Sequence, residues 1–470
     1  MKASKRAWAV YPPTYRAREM KVLASWIQSG ESGSIIGLAG AGKSNLLGFL
    51  SHQPEALTRR LTDPAIKLAL VLVDLNNLPG NDLATFYRVT LRALYEARGR
   101  LAALDESLPA AIESRYRKVE EKTDPFLSQS ALREALFLLQ EQEIRLALIL
   151  DPFDQFCRNA PTQVLDNLRG LRDSFKTTLS YITGLRQEVV YLRSPAELGE
   201  LYEIVDTHVC WLGPMEGEDA GWVIAQVEEG SGKSFRKEHV EQLIMLTGGY
   251  PALLRAASLW LAETEPVPDT AAWEDLLLTN SSIQNRLQDL RSGLTGEEEA
   301  ALSALQMASA INLPKERDES LRQITKKHQP ALNRLQAKRL CQQINSDWQL
   351  FSPLFARFVA GMEGVSAGKI RPEPETDRFF QGETELNNLS EKDRRLLRHF
   401  LAYPQVIHTL DDLIEAAWAE DESSGVTNQA VQQAIRHLRK QIEPNPAKPA
   451  YLITEHGAGY RFFPEGAPRG

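Results

Sequence analysis

Gly37-Leu38-Ala39-Gly40-Ala41-Gly42-Lys43-Ser44 sets glycines, a lysine and a hydroxyl at the GxxxxGK[ST] spacing. Glycines allow successive backbone N–H groups to turn inward around phosphate oxygens, and a helix starting there adds a favourable dipole. Lysine at this position reaches the β- and γ-phosphates, and the following hydroxyl ligates Mg²⁺. Gly37, Gly40, Gly42, Lys43 and Ser44 are therefore the candidate residues for binding ATP or ADP, with Ser44 also a metal ligand. Such a loop needs an acid for the metal on a neighbouring strand. Leu146-Ala147-Leu148-Ile149-Leu150-Asp151 supplies it, and Asp154 follows closely. Asp151 and Asp154 are the candidate catalytic carboxylates, Asp151 doubling as metal ligand. The residue after Asp151 is Pro152, which cannot accept a proton, so binding is expected and hydrolysis slow at best.

Positioning such a loop takes a strand before it and a helix after it. Short apolar runs at 34–38, 68–75, 146–150, 179–183 and 209–213 alternate with helix-period stretches, the pattern of a mostly parallel sheet covered on both faces. The fold class read from this is α/β, with a P-loop sheet core. From 216 to 362 strand signals nearly vanish and apolar residues recur every three or four positions, as in helices. Residues 363–388 are rich in Pro, Gly and charge, as linkers are. The expected division is 1–215 ATPase core, 216–290 helical lid, 291–365 first winged helix, 366–388 linker and 389–465 second winged helix.

The order of motifs over residues 10–365 resembles the STAND class of AAA-related signal-transduction ATPases, which in turn resembles the origin-recognition ATPases. Tyr15-Arg16-Ala17-Arg18-Glu19 stands where that class has an arginine-and-glutamate motif near the adenine, without its usual glycine. Residues 179–186 (LSYITGLR) are similar to a strand ending in a sensor arginine, which implies Arg186 as reader of the γ-phosphate. A solvated loop arginine is the alternative. Thr247-Gly248-Gly249-Tyr250-Pro251 resembles the GxP element, implying that Pro251 packs on the base, although a turn between helices explains it nearly as well. Thr295 followed by Glu298 is a capping-box opening. Residues 348–355 look like the end of a winged helix that serves this class as a regulatory lid.

Residues 389–463 resemble the winged helix-turn-helix effector domain of OmpR-type response regulators. The stretch 426–442 matches the recognition helix, with Val431, Ile435, Leu438 and Ile442 on one apolar stripe. The opposite face carries Asn428, Gln429, Gln432, Gln433, Arg436, Arg439 and Lys440, amides and cations suited to major-groove edges. Residues 451–462 (YLITEHGAGYRF) match the family's T-x-x-G-x-G-Y-R wing, which implies Arg461 or His456 as a phosphate contact.

Charge tempers that expectation. Residues 387–463 contain nine Lys/Arg against ten Asp/Glu, so a single module should hold DNA weakly. Over all 470 residues, 54 Lys/Arg and 62 Asp/Glu give a net charge of -8, which excludes a uniformly basic nucleic-acid coat. Three separated cysteines without a CxxC speak against a disulfide framework or zinc site. No signal-peptide pattern and no apolar run of membrane-spanning length occur, so a cytoplasmic protein with no membrane partner is expected. The reading is a nucleotide-controlled switch protein that binds double-stranded DNA, regulates transcription, and forms a homo-oligomer on ATP, with a protein partner supplying the signal. A DNA-remodelling ATPase and a protein-interaction scaffold remain as rivals.

Overall fold

The computed structural model describes residues 11–469 except 123, 346, 362–367, 374–375 and 419–425. The chain divides into two units, Met1–Asp219 and Ala220–Gly470.

In the first unit, strands β1 (Gly33–Ile36), β2 (Lys67–Asp74), β3 (Ile144–Asp151), β4 (Leu179–Leu185) and β5 (Val209–Trp211) form a sheet ordered β2-β3-β4-β1-β5. Every pairing is parallel. These are the five runs read from the sequence. β3 shows why they read as continuous apolar runs, because all but one of its eight residues are buried. Leu146, Leu148 and Leu150 join a core with Leu91, Leu94, Leu132 and Leu136 from the covering helices. The helix Lys43–His52 packs against β2, β3 and β4 with Leu46, Leu47, Phe49 and Leu50 buried. A sheet covered on both faces strips every strand of its polar alternation. Its parallel arrangement also brings the carboxyl ends of β1, β3 and β4 to one edge, where open α/β sheets hold ligands.

After the helix Gly217–Ser231, the second unit continues as a run of helices, Lys237–Thr247, Pro251–Glu263, Trp273–Thr279 and Ser281–Ser292. A middle module follows: helices Gly296–Ser309, Pro314–Lys327 and Gln329–Ala337, the antiparallel hairpin β6 (Cys341–Ile344) and β7 (Asp347–Leu350), and the helix Pro353–Ala360. Thr295 and Glu298 form the expected capping box. The stretch 366–388, expected as a linker, is instead partly folded. β8 (Ile370–Pro372), β9 (Phe379–Gln381) and β10 (Thr384–Glu385) make an antiparallel sheet. Ile370 and Phe379 enter the core of the C-terminal module beside Leu389, Leu396 and Phe400. Two buried side chains are enough to anchor short strands, and an average over Pro, Gly and charge hides them.

That module continues with helices Glu391–Ala402, Leu410–Ala417 and Asn428–Ile442, and strands β11 (Ile407–His408), β12 (Leu452–Glu455) and β13 (Gly459–Phe462). The strands form one antiparallel sheet ordered β11-β13-β12. Side chains of Ser390, Thr409 and Thr427 cap the three helices, the first two in full capping boxes with Asp393 and Asp412. Among the described residues no helix is long and apolar enough to cross a membrane.

Candidate phosphate site and nucleic-acid interface

The loop after β1 is shaped by its glycines. Gly40 and Gly42 have φ of 80° and 88°, a left-handed region costly for other residues. A Cβ on Gly37 would lie 3.3 Å from Ala41 Cβ and Leu212 Cβ, so a side chain there would have to push its neighbours aside slightly. The backbone N–H of Gly37 donates to the Leu185 carbonyl at 2.9 Å, tying the loop's start to the end of β4. Gly42 then caps the helix Lys43–His52, whose first turn contains Lys43 and the exposed Ser44.

Lys43 Nζ lies 2.9 Å from Asp151 Oδ1 and 3.9 Å from Asp154 Oδ2. Both members of the closer pair are buried, at 8% and 7% exposure. A buried charge needs such a partner, and removing one side of a buried pair typically costs about 3–5 kcal/mol. Asp154 also accepts the Arg186 backbone N–H at 2.8 Å. The structure thus brings together Lys43, Asp151, Asp154 and the main chain of Arg186. The Arg186 side chain itself is exposed just beyond β4.

Gly184, in β4, escaped the sequence reading. A Cβ there would sit 2.2 Å from Asp151 Oδ1 and 2.7 Å from Leu47 Cδ1, so the bare position makes room for the carboxylate. Its signal was a glycine inside an apolar strand, a mark of close approach.

Arg16 holds the far side of the loop. Its guanidinium donates to the carbonyls of Ala41 at 2.8 Å, Gly213 at 2.8 Å and Pro214 at 3.3 Å. Its backbone N–H donates to Asp219 Oδ2 at 3.0 Å, and its own φ is 52°. Tyr15 stacks on Tyr11 with ring centroids 4.0 Å apart. Burial pushes the Tyr15 hydroxyl up, and it does the same to the Asp219 carboxyl. The motif expected near the adenine is therefore also a strut joining the phosphate loop to the segment after β5.

Pro251 belongs to the second unit, at the first position of the helix Pro251–Glu263. Before it, Gly248 and Gly249 have φ of 59° and 73°. A Cβ on Gly248 would meet the Phe351 carbonyl oxygen at 2.0 Å, and Ser352 Oγ donates to the Leu246 carbonyl at 2.6 Å. These contacts pack the turn between the two helices against the segment at Phe351 and Ser352.

On the helix Asn428–Ile442 the apolar stripe Val431, Ile435, Leu438 and Ile442 is buried. Asn428, Gln429, Gln432, Gln433, Arg436 and Lys440 are exposed on the outer face. Arg439 and Arg461, expected with them, are committed inside the module. Arg439 donates from Nε and a terminal nitrogen to the Leu452 carbonyl, at 2.9 and 2.6 Å, and to Thr454 Oγ1 at 2.9 Å. Arg461 is only 2% exposed. It pairs with Glu455 at 2.6 Å and lies 4.9 Å from the Phe463 ring centroid. Alternation along β13 gives Tyr460 and Phe462 to the core and sets Arg461 on the other face, where the contacts with Glu455 and Phe463 bury its guanidinium, so it is not presented to a phosphate. His456 is exposed at the wing's turn.

Glu443 was also missed. Its carboxylate accepts backbone N–H bonds from Ala450, Tyr451 and Leu452 at 2.7, 2.9 and 2.8 Å, clamping the wing to the end of the helix. Burial pushes its carboxyl up. An acid at a helix C-terminus opposes the dipole, and that misfit was the available clue.

Residues 383–462 match the family model described as "Transcriptional regulatory protein, C terminal". A probable transcriptional regulatory protein of Picosynechococcus sp. is 43% identical over 75 residues, 16% of this chain and 29% of that protein. The alkaline phosphatase synthesis transcriptional regulatory protein SphR of Synechococcus elongatus is 39% identical over 88 residues, 19% of this chain and 33% of its own. The chain thus spans about a third of the length of these relatives. Among solved structures, a Walker-type ATPase of Pyrococcus abyssi aligns over 75% of this chain and 99% of its own, at 12% identity and a TM-score of 0.43. The Aeropyrum pernix ORC2 protein aligns over 76% and 96%, at 15% identity and a TM-score of 0.39. Likeness at these scores carries no argument about activity.

Proposed function

We propose that this chain is a nucleotide-binding transcriptional regulator whose C-terminal winged helix engages double-stranded DNA. The observation that carries the reading is the exposed row Asn428, Gln429, Gln432, Gln433, Arg436 and Lys440 on one helix of a module that matches regulatory C-termini. Amide side chains pair bidentately with adenine and cations with guanine or phosphate. With Arg439 and Arg461 turned inward, Arg436 and Lys440 are the cations left on that face. Phosphate contacts dominate non-specific affinity, so one module binds weakly and a homo-oligomer on ATP would add avidity.

The phosphate loop fits a nucleoside triphosphate with Mg²⁺. Its glycines hold backbone that a Cβ would obstruct, and Lys43 and Asp151 form a buried pair of the type such a site uses. Gly37, Gly40, Gly42 and Lys43 would hold the phosphates, and Ser44 and Asp151 the metal, which would offset phosphate charge. Asp154 and Arg186 would report the nucleotide's state. The Asp154 oxygen that accepts the Arg186 N–H is already engaged, and Pro152 offers no base, so occupancy rather than rapid turnover is the signal. A protein partner would supply the upstream input. A ligand shifts such a switch only through different contacts in its two states.

Fluorescence anisotropy with duplex DNA at about 50 mM salt, where phosphate contacts are strong, tests the reading in three arms: no nucleotide, ATP–Mg²⁺, and Lys43→Ala with ATP–Mg²⁺. Affinity that rises with ATP and falls back in the variant supports it. No binding in any arm overturns it in favour of a protein-contact scaffold, and DNA-stimulated ATP turnover would favour a remodelling ATPase.

A further inference from the structure

The segment that follows β13 is packed rather than loose. Pro464, Gly466, Ala467 and Pro468 are buried. Within the C-terminal module, the Pro464 carbonyl accepts the Ile370 N–H at 2.8 Å, and the Ala467 N–H donates to the Ala450 carbonyl at 2.7 Å. Gln405 Nε2 donates to Glu465 Oε1 at 3.0 Å.

The same few residues also grip the middle module. The carbonyls of Gly466 and Glu465 accept the N–H groups of Gly296 and Glu297, at 3.1 and 2.9 Å. Those are first-turn donors of the helix Gly296–Ser309, which have no partner within their own helix. The Arg469 N–H donates to the Ser292 carbonyl at 2.6 Å, and its guanidinium lies 3.8 Å from Glu299. Glu299 is 1% exposed and also pairs with Arg291 at 3.2 Å. Beside it, Glu298 is fully buried and pairs with Lys338 at 2.7 Å. Gly466 has φ of 74°, and a Cβ there would lie 3.2 Å from both Gly296 N and Tyr451 Cζ. The close approach of the two modules thus depends on a residue without a side chain.

We propose that Pro464–Arg469 is a clasp that makes the middle and C-terminal winged helices one rigid body and so sets the orientation in which the polar face of Asn428–Ile442 is presented. Modules joined by a chain move independently unless an interface holds them. Here the contact satisfies backbone donors as well as charge, and it leaves Asn428, Gln432 and Arg436 exposed. It therefore fixes the reading face without covering it. The regulatory meaning of that orientation rests on the DNA-binding reading, whereas the rigid coupling does not.

Spin labels on cysteines introduced at the exposed positions Gln323 and Ala402 of the full chain report the distance between the modules. The native cysteines Cys157, Cys210 and Cys341 are buried, which keeps the labels selective. The proposal expects one narrow distance distribution in the native background and a broad one after Gly466→Val. Should that variant fail to fold, Arg469→Glu sets a carboxylate against Glu299 without backbone strain and is expected to broaden the distribution as well. A broad distribution in the native background overturns the clasp. An unchanged narrow one in the folded variant overturns it too, whatever the outcome of DNA binding.

Discussion

The phosphate loop and the C-terminal winged helix use charge in opposite ways. Around the loop, Lys43 and Asp151 are drawn out of solvent and face one another, beside glycines whose left-handed backbone is costly for other residues. On the winged helix, the side chains proposed to meet DNA are those left in water, while Arg439 and Arg461 go inside to hold the wing. A phosphate site needs preorganised, partly desolvated groups, because the ligand brings concentrated charge to a fixed place. A groove-reading face needs side chains free to reach base edges. Burial therefore marks the Lys43–Asp151 pair in one region and takes Arg439 and Arg461 off the outer face in the other.

The sharpest way to break this contrast is Lys43→Ala. Losing the charged partner of the phosphates is expected to cost about 3 kcal/mol of nucleotide binding, roughly 100-fold in affinity. Calorimetric titration with ATP–Mg²⁺ measures it, and an unchanged affinity would remove the loop from the site. Gly184→Ala comes next, since its Cβ would meet Asp151 Oδ1 at 2.2 Å. Overpacking of that kind costs about 1–3 kcal/mol, expected as a lower melting temperature together with weaker nucleotide binding.

The third and fourth tests separate inward from outward arginines. Arg461→Ala should destabilise the fold by about 1–3 kcal/mol, the usual penalty for leaving a polar partner such as Glu455 unmatched. It should leave the salt dependence of DNA binding unchanged. Arg436→Ala should do the reverse, reducing the slope of log affinity against log salt by about 1 with little change in melting. Exchange of these two outcomes would invert the assignment of the wing and the helix.

The smallest effect expected is one of pH. His408 Nε2 donates to the Tyr403 carbonyl at 3.0 Å, which leaves Nδ1 to accept from His399 Nε2, also at 3.0 Å. Burial holds the His408 imidazole below its ordinary value of 6.5, with the nearby His399 acting in the same direction. The unfolded chain therefore takes up this proton before the folded one does. The contribution is whole above pH 6.5 and is lost as pH falls through the lowered folded value. Melting temperatures from pH 7.5 down to 5.5 should fall more steeply in the native chain than in His408→Asn. Parallel slopes would show that another group titrates.

Much of this was legible beforehand because local chemistry demanded it. A loop around phosphate requires Gly, Lys and Ser at fixed spacing, and five buried strands require unbroken apolar runs, so 33–44 and 144–151 announce themselves. The stripe Val431, Ile435, Leu438 and Ile442 likewise places the exposed amides opposite it by helical geometry alone. What escaped was set by groups distant in sequence. Glu443 meets three N–H groups that arrive seven to nine residues later, in the wing. Ile370 and Phe379 matter only once the C-terminal core exists to receive them.

By itself, then, the sequence determined which backbone could cradle a phosphate and which helix face would be polar, since both follow from the geometry of adjacent residues. Only the tertiary structure decided that Gly184 must stay bare for Asp151, that two of the arginines serve the wing, and that Gly466 seats itself on the helix beginning at Gly296. Each depends on where chain segments far apart in sequence come within a few ångströms, and no local preference encodes such a distance.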